Sequence, residues 1–380
     1  MKKIISFILS FFLLLSCANK KNQTASDVEV INLQYANNEH LNLRKPIIKV
    51  IKLEKTKNSL LRNIQKAYID TLNNKIFLLS HFNLFIFDAN GKYITKLKTG
   101  KGPGEILQLS SFAVNPGKQT LCVLDRSCFL CEYDYSGNFI KRNQLEKFYS
   151  KSLYYADNDH LFLTCNYVGK SEKNYVGCYS FAERRIIRKY ISSDFCTYPI
   201  SSNLMIPNNF IKKDDELYFI SPDIFGLFKY DGDDFDLFYH FDPGKKRVPD
   251  NLAKTLLSNS RSAFRERAKK QNYIPNLLYV NFYDNHIMVG LDDDKFSCYV
   301  FNPNNPKKVF YNENITHALG LPDIKTLRLP IDNSNNSMVF ACNPVDLFQE
   351  AEDFDTKTVN IGDQRLKVSI DDNPVLVCIN

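Results

Sequence analysis

The chain holds 380 residues at a formal charge of +7, with 44% hydrophobic and 24% charged side chains. Lysine and arginine are spread along it with no dense basic block, so no nucleic-acid partner is expected. With 29 Phe and 21 Tyr against 14 Gly and 15 Pro, the composition excludes a disordered or collagen-like chain and suits many half-buried strands.

The first residues set the compartment. Lys2 and Lys3 lead into an apolar run from Ile4 to Leu15, and Leu14-Leu15-Ser16-Cys17 ends it. A basic start, a short apolar core and a small residue before the cut make an export signal too short to span a membrane. Because cysteine follows the small residue, the segment resembles a bacterial lipobox, with Cys17 as the first mature residue and the carrier of the lipid. Residues 1–16 then form the signal peptide, and residues 17–44, polar and rich in Asn and Lys, read as a tether. Loss of Lys2 and Lys3 lowers the formal charge to about +5. Ala18 stands where Asp would suggest retention at the inner membrane, which points to the outer membrane. Asn19-Lys20-Lys21-Asn22 lacks an acidic cluster, which favours the periplasmic leaflet over the cell surface.

From residue 45 onward one pattern recurs: an aromatic residue, a polar turn, then a β-rich run. Its leading aromatics are Phe87, Tyr133, Tyr179, Tyr230 and Phe301, at steps of 46, 46, 51 and 71 residues. That is the length of a four-stranded propeller blade, and the long last step holds a helical insertion. Asn90-Gly91, Ser136-Gly137 and Asp231-Gly232 supply tight hairpin turns. An apolar strand precedes each aromatic, as in Lys75–Leu79, Gln119–Leu124, His160–Leu163, Glu216–Ile220 and His286–Val289. A weaker inner strand lies before it.

A sixth unit has strands near Thr326–Pro330, Met338–Cys342 and Pro374–Ile379, and lacks an outer strand. The unattached run Ile47–Leu53 is expected to pair with Pro374–Ile379 and close the ring, which removes the open edges. The expected fold is all-β: a six-bladed propeller over residues 45–380, closed by an N-terminal strand, with a helical insertion near residues 250–271.

Gly100-Lys101-Gly102-Pro103-Gly104-Glu105, the Asp-x-Asn-Gly turn upstream and the ending Asn373-Pro374-Val375-Leu376-Val377 together resemble the six-bladed β-propeller lipoproteins of Gram-negative gut anaerobes, related in shape to NHL-repeat propellers. The resemblance covers nearly the whole mature chain and implies fold and anchoring rather than chemistry. The glycine run lacks the Lys-Ser/Thr ending of a phosphate loop. It reads first as a compact crossover between blades, although it falls on the face where propellers usually bind ligands.

That face collects the candidate ligand residues His81, Asn83, Lys101, Glu105, Arg126, Asp223 and Asp292, beside Asp125, Asn166, Asp293 and Asp294. Acids in turns mostly satisfy local backbone N–H groups, so no metal or other cofactor is expected. Of the ten cysteines, Cys122, Cys165, Cys298, Cys342 and Cys378 sit in apolar runs as small buried hydrophobes. Cys128-Phe129-Leu130-Cys131 has no second pair with which to build a zinc site. A two-residue turn at Arg126-Ser127 would set Cys122 opposite Cys131 and Asp125 opposite Cys128. Opposed cysteines in an oxidising compartment could bond, with a reduced buried pair as the default.

The stretch from Pro249 to Gln271 reads as a basic amphipathic helix, capped by Asp250 and packed on the propeller. The functional expectation is a membrane-anchored, monomeric binding or scaffold module for a glycan, peptide or partner protein. The alternatives are a propeller lyase or lactonase using inner-loop acids, His81 and a metal, or a structural accessory of an outer-membrane complex. Three converging ionisable groups around a metal would favour the enzyme, and an aromatic-lined funnel would favour binding.

Overall fold

A computed structural model describes residues 28–39, 41, 43–145, 148, 150–165, 172–195, 206–257, 261–321, 327, 329–333, 337–348, 356–361 and 363–380. Six sheets are arranged as a six-bladed β-propeller. Blade one has strands Ile64–Asp70, Lys75–Ser80, Asn83–Asp88 and Tyr93–Lys96, and blade two Leu109–Asn115, Thr120–Asp125, Phe129–Asp134 and Phe139–Gln144. Blade three comprises Ser150–Tyr155, His160–Cys165, Asn174–Ser180 and Arg185–Ser192. In blade four they are Phe210–Lys213, Glu216–Ser221, Ile224–Tyr230 and Phe235–Asp242. Blade five is Leu277–Tyr283, His286–Leu291, Cys298–Asn302 and Asn305–Asn312.

In these five blades the four strands run antiparallel from the inner strand outward. The first-to-second and third-to-fourth turns therefore share one end of the molecule, called here the lower face. Second-to-third turns and the crossovers between blades share the upper face.

Side-chain alternation explains why the middle strands are apolar throughout. Successive residues of a strand point to opposite sheet faces, and in a propeller each face meets a neighbouring blade. Ile76 and Leu78 pack toward blade six, while Phe77 and Leu79 pack toward blade two. Six buried clusters result, one for each blade interface, so the apolar contacts run around the whole ring.

Closure follows the expected strand pairing. Ile48–Lys52 pairs antiparallel with Val375–Ile379, which also pairs with Met338–Cys342. The innermost strand of blade six shrinks to a bridge between Asp332 and Val339. Of the expected Thr326–Pro330 strand, Thr326 and Arg328 lie outside the described residues, and Leu327, Leu329 and Pro330 are not in a strand. A small hairpin, Thr356–Ile361 with Gln364–Ser369, is inserted between the last two chain strands of this blade.

Three expectations need correction. The tether is shorter than residues 17–44, because Glu29–Asn32 adds a parallel fifth strand to the outer edge of blade four. Ile31 and Leu33 alternate into the core and are 0% and 3% exposed, a period-2 signal hidden by the polar average of the segment. Asn37 then exchanges backbone hydrogen bonds with Val309 and Tyr311 of blade five, and Arg44 bonds Asp284 and Tyr283 before the closing strand begins. The segment is a strap across blades four, five and six. Because Glu29–Asn32 is parallel to Phe235–Asp242, the chain enters it from the lower face.

The hairpin of blade two is shifted by one residue. Val123 faces Cys131 and Cys122 faces Glu132, because the loop has three residues, with Cys128 at φ 61°. Cys128 N–H bonds the Asp125 carbonyl, and the Asp125 side chain takes the Phe129 N–H at 2.9 Å. Cys122 and Cys131 thus point to opposite sheet faces, toward blades three and one, and both thiols are free.

The single expected helix is two, α1 (Asp250–Leu257) and α2 (Arg261–Lys270). Ala253, Phe264 and Ala268 form a small core of their own with Val248. Among the described residues, no helix is long and apolar enough to cross a membrane.

Candidate functional site

The upper face carries the sequence-predicted residues without gathering them into one centre. His81 and Phe82 form a two-residue turn, both with positive φ (47° and 63°), and the Asn83 amide bonds the His81 carbonyl at 2.8 Å. His81 and Asn83, together with Arg62, Lys57 and Lys96, line a recess of about 290 Å³. Arg126 lies beside it, its guanidinium 4.7 Å from the Phe82 ring centroid.

The glycine run is a tight crossover. Glu105 turns back on its own loop and accepts the Gly102 N–H at 2.8 Å. A Cβ on Gly104, whose φ is +72°, would meet Phe139 at 2.7 Å, so the backbone there must approach closely. Lys101 stays exposed. Glu105 is thus occupied structurally rather than presented.

Asp223 sits on the opposite side of the ring, where Tyr175 Oη donates to it at 2.9 Å and Ser221 also donates. Burial pushes its carboxyl up to about 6, against the pull of those two hydrogen bonds. Asp292 is fully buried and gripped by Arg265 and Lys269 of α2. It anchors the helical insertion through two of that helix's basic residues. Among the described residues, no three His, Cys, Asp or Glu side chains converge as a metal-ligand group. Cys17 and Asn166 lie outside the described residues.

Among the described residues, a larger cavity opens on the lower face. It has a volume of about 540 Å³ and is walled by the inner strands of blades one to four, with Thr71, Leu72, Pro116 and Asn158 at its mouth. Tyr68, Phe112, Tyr154 and Phe210 give it aromatic walls, and Ser152, Asn115, Asn158 and Asn208 supply hydroxyl and amide groups. Two of the aromatics, Tyr154 and Phe210, lie 5.5 Å apart between centroids.

Lys66 projects from the middle of the first inner strand and is only 8% exposed. Its Nζ donates to the Phe112 carbonyl at 2.9 Å and lies 5.2 Å from that residue's ring centroid. Burial pushes the ammonium down to about 8, with the Asp332 carboxylate working in the opposite direction. Asp332 is itself buried and accepts from the Asn208 amide at 3.1 Å, which ties blade four to blade six across the axis above the cavity.

The acids lining the cavity are already engaged. Asp70 accepts from Tyr135 Oη at 2.6 Å and from the Asn73 amide at 2.8 Å, and Asp157 faces His160 Nδ1 at 2.8 Å. Lys66 uses one of its three N–H donors, and it is the buried cation of a lining whose other lysine, Lys212, is exposed. At neutral pH a lysine titrating near 8 stays cationic by about ten to one.

None of the seven candidate residues lines this cavity. A signal did exist in Ile64-Gln65-Lys66-Ala67-Tyr68-Ile69-Asp70: a lysine at the centre of an inner strand cannot reach solvent without a cavity beside it.

The family model described as a domain of unknown function (DUF4934) matches residues 28–380. A solved structure of a Bacteroides fragilis protein, described as exported, is similar at 13% identity and a TM-score of 0.68, over 92% of this chain and 99% of that one. U3-55K, at 11% identity and TM-score 0.40, aligns over 69% of this chain and 65% of its own. The C-terminal WD40 domain of Sif2, at 14% and 0.39, aligns over 65% and 70%. No curated protein matches the chain.

Proposed function

We propose that this chain, a member of the DUF4934 family, is an anchored binding module whose ligand enters the central cavity from the lower face. The observation that carries this reading is the cavity: about 540 Å³, aromatic-walled, with a buried ammonium at its inner end. That volume falls in the range of small-molecule sites, which combine apolar walls with a few placed polar groups. An aromatic-lined funnel is the feature expected of a binder rather than a metal-dependent lyase.

In this reading the protein is a monomer, lipidated at Cys17 and held at the periplasmic leaflet of the outer membrane. Cys17 and Val28 are separated by 11 residues, which span at most about 40 Å. The chain enters the propeller at the lower face, so the mouth stays on the anchored side. The rigid ring supplies the platform and the lower turns frame the mouth.

The test is equilibrium binding of the full chain in detergent micelles to a panel of oligosaccharides and tripeptides, compared with Thr71→Trp. Thr71 is exposed at the mouth, so tryptophan there blocks entry without touching the core. Loss of binding in Thr71→Trp supports the reading, and unchanged binding rejects it.

A further inference from the structure

Resting on the reading of the cavity as the binding site, we propose that its ligand is an acidic sugar, with one ring carboxylate seated on Lys66 and sugar faces laid against Tyr68 and Tyr154. Three observations carry this.

The first is the charge. Lys66 is more than nine-tenths buried, points into the cavity and spends one N–H on the Phe112 carbonyl. A buried ammonium needs a counter-charge and acceptors for its remaining donors. A ligand oxyanion supplies both. Asp332, buried within electrostatic range of Lys66, lowers the positive potential of the site. A single carboxylate therefore matches it better than a phosphate dianion, whose second charge would stay buried and unpaired. Asp70 and Asp157 keep their charges but spend their oxygens on Tyr135, Asn73 and His160, and Lys212 adds a second cation to the lining.

The second is the wall chemistry. Amides such as Asn158 and Asn208 both donate and accept, as sugar hydroxyls do, and aromatic rings offer flat apolar faces with a polar tip. The third is size and access. The cavity of about 540 Å³ has Thr71, Leu72, Pro116 and Asn158 at its lower mouth, which suits a chain end of about two or three rings entering lengthwise.

The experiment is isothermal titration of the full chain in micelles with a galacturonic acid trisaccharide and with the neutral galactose trisaccharide. Wild type, Lys66→Met and Thr71→Trp are compared. Wild type is expected to bind the acidic trisaccharide at least 30-fold more tightly than the neutral one. Lys66→Met should shrink that ratio below threefold. The wild-type ratio is informative even without a folded Lys66 variant.

If the two sugars bind wild type equally and Thr71→Trp abolishes both, the carboxylate assignment is overturned and the cavity reading stands. Binding of neither sugar to wild type rejects the acidic-sugar proposal. Binding that survives Thr71→Trp overturns the cavity reading with it.

Discussion

Lys66 is the residue where stability and function pull apart. Its folded-state pKa, about 8, lies below the ordinary lysine value of 10.5 because burial penalises the charged form. The folded chain therefore binds fewer protons than the unfolded chain between about pH 8 and 10.5, and stability rises with pH across that window. At pH 7 the penalty is fully present. We predict that Lys66→Met raises the unfolding free energy at pH 7 by about 1–3 kcal/mol, and that the gain fades as pH approaches about 10.5. Urea melts of both forms at pH 7 and pH 10 check this. Equal destabilisation at both pH values would mean that Lys66 serves the fold through its bond to Phe112. A residue that weakens the fold and faces a cavity fits the proposed role of holding a ligand. The sequence displayed it only as a charge in a weak strand, because the cavity beside it is made by four blades distant in the chain.

At the scale of elements, the strands buried on both faces were the most legible. Ile76–Leu79 and Ile287–Val289, the middle of two such strands, must be apolar at every position, and they read as such. The hairpin of blade two was misread because a three-residue loop usually signals itself through Gly or Asn at the left-handed position, and here Cys128 occupies it. The resulting register separates Cys122 from Cys131. Burial also pushes both thiols up, that of Cys131 to about 11, so neither should ionise readily. Non-reducing peptide mapping should find no linked 122–131 fragment, and a disulfide there would refute the register.

The helical insertion offers a second check at this scale. Asp292 is 0% exposed and paired with Arg265 and Lys269. Removing it leaves two cations that can turn to solvent, so Asp292→Ala should cost about 2–3 kcal/mol, less than leaving a buried charge alone. The loss should be local: limited proteolysis should cut between Val248 and Ile274 while the ring stays intact. Cleavage spread over all blades would show that Asp292 supports the propeller itself.

For the whole molecule, the blade count was legible because repeat spacing and an orphan strand at each end admit one closure. The strap over blades four to six was not, because its hydrophobic alternation spans only a few residues. Closure makes the ends interdependent: Val375–Ile379 lies between Ile48–Lys52 and Met338–Cys342. Deleting residues 371–380 should therefore abolish the cooperative melt, and a native-like transition in the truncated chain would contradict a ring held by that strand. Cys17→Ala should release the protein from washed membranes, and retention would reject the lipid anchor.

The ring offers two faces, and which of them binds decides how the molecule works. Upper-face candidates such as His81 and Arg126 were chosen because propellers commonly use that face, whereas the large described cavity opens on the other. The most direct measurement is the dissociation constant of the tightest-binding panel ligand for Thr71→Trp and for the double variant His81→Ala, Arg126→Ala. The account predicts a loss of about 100-fold or more at the lower mouth, equivalent to about 2.8 kcal/mol, and a change under threefold at the upper face. The reverse pattern, with binding lost in the double variant and kept in Thr71→Trp, would contradict it.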